Sequence, residues 1–155
     1  MTALTWSEAL ALQQPQMDTT HREFVELLGA IEAALDGPVD TLHARYADFV
    51  AHTEAHFAQE DRWMATLGFA PENCHAFQHA HVLKVLHEVQ SADPGPKVLG
   101  VLVTELALWF PQHAQSMDAA LAQVMADCGF DPASGRLDRT LAEAVTTCGT
   151  GSCGT

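Results

Sequence analysis

The longest uninterrupted helical pattern in the chain is VDTLHARYADFVAHTEAHFAQEDRWMATL, residues 39–67. Steps of four and three pick out Leu42, Tyr46, Phe49, Thr53, His56, Glu60, Trp63 and Leu67, one face of an amphipathic helix. A strand would alternate every second residue, and this stretch does not. Two members of the stripe are polar. His56 and Glu60 stand one turn apart on a face that is otherwise built for burial.

Outward from this segment, breakers at Gly37-Pro38, Gly68 to Pro71 and Asp93-Pro94-Gly95-Pro96 separate three more helical stretches. The first is expected from about Asp18, as N-cap, to about Leu35, with His21, Phe24, Leu28, Ile31 and Leu35 inward. The third is expected to begin near Pro71 and carries His75, His79, Val82, Leu86 and Val89. The fourth is expected from near Pro96 to just before Gly129, with Leu99, Leu102, Leu106, Trp109, His113, Asp118 and Leu121. Four amphipathic helices with short connections predict an all-α, up-down-up-down antiparallel four-helix bundle. An N-terminal arm of about 17 residues should pack Trp6 on it. A short helix near Leu137 to Val145 should lead into a flexible, glycine-rich tail holding Cys148 and Cys153.

Every stripe is interrupted by groups that burial penalises: His21, then His56 and Glu60, then His75 and His79, then His113 and Asp118. A lone inward histidine is usually a hydrogen-bonded core residue. Four helices that all turn such groups inward are different, because independent structural histidines have no reason to converge. A buried cation removes the cost of burying them. Neutral imidazole suits iron, zinc and copper, and carboxylates suit hard cations. The five-residue step from His113 to Asp118 turns the carboxylate about 140° on an ideal helix, toward a different metal. His43, His81 and His87 fall off the stripes and read as solvated. His52 also fits a pair with His56, but Glu60 continues the stripe and supplies a second carboxylate.

Bulk properties narrow the classes. A length of 155 residues allows one domain with a real core, and 48% hydrophobic content marks it as globular. Seven basic against 20 acidic residues give a net charge of −13, which disfavours nucleic acid and anionic membrane surfaces as partners. The N-terminus has no signal-peptide pattern, so a cytoplasmic location is expected. The four cysteines, Cys74, Cys128, Cys148 and Cys153, form no CxxC pair, so neither a zinc ribbon nor a disulfide framework is indicated.

The ordered motifs resemble the haemerythrin family over residues 1 to about 125. They are Asp18 with His21, His56-Phe57-Ala58-Gln59-Glu60 with Met64, Gly68-Phe69-Ala70-Pro71 followed by His75 and His79, and Trp109 with His113 and Asp118. The resemblance implies a di-iron four-helix bundle over residues 1–128, with 129–155 a C-terminal extension. It implies two iron ions with an oxo or hydroxo bridge, one held by His75, His79 and His113, the other by His21 and His56 with an open position. Glu60 and Asp118 would bridge them, dioxygen would bind reversibly, and Phe57, Trp109, Phe110 and Ala114 would line its pocket.

The site is poorer in carboxylates than di-iron oxidases, which favours carriage over substrate oxidation. Ala114 replaces the family's usual bulky aliphatic residue and should widen the pocket. Pro111 should kink the fourth helix beside the site, a distortion that is either tolerated or retunes His113. Storage, delivery or sensing of dioxygen is the leading expectation. The alternatives are a di-iron redox enzyme acting on peroxide, oxygen or nitric oxide, fed by a redox partner, and an iron store or metal-stabilised bundle. No exposed apolar stripe is evident, which is compatible with a monomer.

Overall fold

The computed structural model describes residues 4–143. Helix α1 spans Pro15–Ala34, α2 Val39–Leu67, α3 Cys74–Ser91 and α4 Pro96–His113. A π-helical turn over Ala114–Asp118 follows α4, and α5 spans Ala119–Asp127. The four long helices form the up-down-up-down bundle expected from the stripes, α1 packing on α2 and α4, and α2 on α3. Among the described residues no helix is long and apolar enough to cross a membrane.

All eight residues of the α2 stripe are buried. α4 differs from expectation. Val103 and Phe110 are buried where Leu102 and Trp109 were expected, and these two are partly covered and pack on the core from its margin. Several boundaries also move. α1 starts at Pro15, and its cap is Gln14, whose side chain accepts the Met17 N–H at 2.7 Å. Asp18 lies inside the first turn and accepts the Leu12 N–H at 2.7 Å, tying the arm to the helix. Trp6 packs on the core as expected, beneath the Arg22 guanidinium at 5.1 Å from the ring centre.

α3 begins at Cys74, three residues after Pro71, because Asn73 caps it by accepting the Ala76 N–H at 2.9 Å. The connection before it is set by Gly68, at φ 90°, which closes α2 in a left-handed conformation that other residues adopt at a cost. Near the C-terminus, helical backbone starts only at Leu141, where Thr140 and Glu143 cap each other reciprocally. Leu137 precedes it and, with Leu141, packs back on the bundle. The expected tail with Cys148 and Cys153 lies outside the described residues.

The apolar interior forms two clusters. One holds Phe24, Leu28, Phe49, Phe57, Leu86, Leu99, Phe110 and Ala114 among others. The second holds Met17, Trp63, Met64, Leu67, Leu121, Met125, Cys128 and Phe130. On α1, α2 and the α4–α5 run the polar residues of the stripe fall between residues of the two clusters, and on α3 they precede Val82 and Leu86 of the first, so one polar layer crosses the bundle.

The Asn73 cap stands two residues before His75, at the edge of that layer. Asn73→Ala should destabilise the metal-free protein by about 1 kcal/mol, read from the urea midpoint. An unchanged midpoint would show that the cap does not hold the start of α3.

Candidate metal centre

All seven polar residues of the stripes meet in this layer: His21, His56, Glu60, His75, His79, His113 and Asp118 are each at most 4% exposed. Their Nε2 atoms turn toward the two carboxylates. Glu60 Oε1 lies 3.1 Å from His56 Nε2 and 3.5 Å from His21 Nε2, while Oε2 lies 3.3 Å from His75 and 3.5 Å from His79. Asp118 Oδ2 lies 3.1 Å from His21, while Oδ1 lies 2.9 Å from His75 and 3.1 Å from His113. Each carboxylate therefore offers one oxygen to His21 and its neighbourhood and the other to the second histidine set.

The π turn explains Asp118. On a regular helix it would point away from His113. One extra residue in the turn brings it back onto the face of His113, so it reaches both histidine sets instead of one distant metal. The helix runs through Pro111 without ending and enters this turn three residues later.

These short distances are mostly not hydrogen bonds. His21, His75, His79 and His113 Nε2, Glu60 Oε2 and both Asp118 oxygens are buried and have no hydrogen-bond partner. So many unpaired polar atoms in one interior spot are costly, and cations coordinated by them remove the cost. Among the described residues two donor groups have the compactness to hold an ion. One is Glu60, His75, His79, His113 and Asp118, and the other is His21, His56 and Glu60. Imidazole and carboxylate donors fit iron in both.

The model of the Hemerythrin HHE cation binding domain matches residues 14–124. The chain belongs to the haemerythrin family. It is also 41% identical over 134 residues to a protein named Bacteriohemerythrin from Ralstonia nicotianae (strain ATCC BAA-1114 / GMI1000), covering 84% of this chain and 95% of that one. No solved structure gives a significant match.

Within this haemerythrin bundle the expected pocket residues fall on two sides. Phe110 meets His21 edge-on at 5.2 Å and stacks on Phe24 at 4.3 Å. Phe57 stacks on His79 at 4.0 Å, and Trp109 stacks on His113 at 4.4 Å, so both lie against the three-histidine set. Ala114 is fully buried in the cluster that contains Phe24 and Phe110. Phe24, 6.1 Å from the His56 ring, is a wall residue that periodicity assigned only to the core.

Two further residues escaped the sequence reading. Asp61 accepts the His79 Nδ1–H at 2.8 Å, and Gln78 accepts the His113 Nδ1–H at 2.8 Å. The available signal was adjacency, since each directly neighbours a stripe residue. Two of the histidines read as solvated have partners. His43 bonds the Pro94 carbonyl at 2.8 Å and lies 3.5 Å from Asp93, and His87 bonds Glu54. His52 pairs with Glu23 at 3.0 Å and belongs to neither donor group. These are contacts between neighbouring segments at the bundle rim, which a single helix pattern does not reveal.

Charge in the metal-free layer follows the contacts. Burial pulls His21 and His75 down, but Asp118 and Glu60, which both touch each of them, outweigh it and hold both at about 9. His56 lies against Glu60 alone and His113 against Asp118 alone. Burial prevails there, and both are lowered. Burial also works against the ionised Glu60 and Asp118, yet the surrounding imidazoles keep both carboxyls below their usual range.

Because His21 and His75 rise from 6.5 to about 9, their stabilising protons are fully bound below pH 6.5 and lost as pH climbs through 9. The melting temperature of metal-free protein should therefore fall over that window. Zn2+ added at neutral pH in weak buffer should release about two protons per chain. No proton release would mean that both imidazoles were already neutral.

Proposed function

We propose that this haemerythrin-family chain binds dioxygen reversibly at two iron ions, for storage, delivery or sensing. His75, His79 and His113 would hold one ion and His21 and His56 the other, with Glu60 and Asp118 available to both. The observation that carries this reading is the division of each carboxylate between the two histidine sets, which is the arrangement a bridged pair requires. The protein named Bacteriohemerythrin, alike over most of both chains, supports it.

Two ferrous ions held there would supply the two electrons that reversible dioxygen binding needs, a load that a single ferrous ion does not carry. The side chains supply the rest. With the carboxylates shared, the His21–His56 half has one imidazole fewer than the three-histidine half, which would leave a position there for a small ligand. Phe24 and Phe110 cover that half with hydrocarbon and exclude water and external protons. Phe57 and Trp109 clamp the His79 and His113 rings by stacking, fixing their planes.

Iron-loaded protein should develop visible absorption in air and lose it on deoxygenation, over repeated cycles. Irreversible bleaching with turnover of peroxide would replace carriage with a redox enzyme, and a colourless protein holding only zinc would remove gas binding altogether.

Ala114 is the small residue in the wall. Ala114→Ile should slow autoxidation of the ferrous protein several-fold by narrowing access, and overpacking should cost about 1–3 kcal/mol of stability. Equal autoxidation rates in the two proteins would show that this side chain does not limit access.

A further inference from the structure

The outer nitrogens of the histidines are served unequally. His79 Nδ1–H donates to Asp61, and His113 Nδ1–H donates to Gln78. The Nδ1 atoms of His21 and His56 are buried and have no hydrogen-bond partner. Their surroundings are aromatic: Phe110 meets His21 edge-on, and Phe24 and Phe57 flank His56. Both acceptors thus serve the three-histidine half, and neither residue of the other half has one.

An acceptor on Nδ1–H fixes the tautomer that leaves a lone pair on Nε2, orients the ring and makes that lone pair more basic. A carboxylate does this more strongly than an amide. Asp61 follows Glu60 directly on α2. One residue of helical rotation carries its side chain from the interior to a half-exposed position, where it reaches the outer edge of His79. It therefore acts on the ring without itself being buried in the layer.

We propose that Asp61 is a positioning residue that makes the His75–His79–His113 half the high-affinity half, so that the centre loads in order, this half first and the His21–His56 half second. The inference rests on the reading of the layer as a two-metal site.

Zn2+, which is diamagnetic and redox-inert, is the probe. Metal-free protein titrated against a competing chromophoric chelator should take up two zinc ions in steps that differ at least about tenfold in affinity. With one zinc bound, 15N spectra should show His75, His79 and His113 metal-bound and His21 and His56 free. Asp61→Asn should weaken the first step about 10–100-fold. The second step should stay unchanged. Gln78→Glu, which puts a charged acceptor on His113, should tighten the first step and serves as an independent variant if Asp61→Asn folds poorly. Equal wild-type steps, a first zinc on His21 and His56, or a parallel loss of both steps in Asp61→Asn would overturn the proposal while leaving the two-metal reading intact. Fewer than two zinc ions per wild-type chain would overturn that reading and the inference with it.

Discussion

Two carboxylates in the middle of an apolar bundle set the terms for everything around them. Glu60 and Asp118 are fully buried, and an uncompensated buried carboxylate costs several kcal/mol. Five imidazoles surround them, and without metal the carboxylates raise His21, His75 and His79 against the pull of burial, which favours protons that offset the negative charge. The same positions accept cations once those protons leave. The centre is thus electrostatically tolerable in either state, which lets the bundle fold around a layer that would otherwise oppose it.

That layer divides the packing. Phe24, Phe49 and Phe110 belong to one apolar cluster, and Met17, Trp63 and Leu121 to the other. Each helix must present its polar residues at the same height, where the two clusters meet. α1, α2 and α3 do so with regular helical spacing. α4 cannot, because the interval between His113 and Asp118 is one residue too long for a regular turn. The π turn over Ala114–Asp118 absorbs the excess, and a local departure from helical geometry at a functional site is what such turns commonly mark.

Facing was legible for α2 and for the polar residues but not for the apolar face of α4, where Val103 and Phe110 are buried in place of Leu102 and Trp109, and local backbone was less legible still. The α2 stripe from Leu42 to Leu67 is buried as its periodicity implied, and the same reasoning brought seven polar residues from four helices to one place. Helix starts were misplaced at Asp18 and Pro71 because the caps that decide them, Gln14 and Asn73, compete with other good candidates nearby. The five-residue step to Asp118 was read on an ideal helix, and nothing in composition announces a π turn. Asp61 and Gln78 were missed for a further reason. They act across the seams between helices, and periodicity reports only whether a residue points inward or outward.

The unequal surroundings of the histidines give the centre two different edges. On one, Phe24 and Phe110 form a hydrocarbon wall around His21, and a neutral diatomic molecule dissolves in such a medium more readily than any ion does. On the other, an unbroken chain of polar atoms runs from His79 through the Asp61 carboxylate to solvent. The layer therefore meets hydrocarbon at one edge and a polar lead to solvent at the other, so a substitution at one edge need not disturb the other.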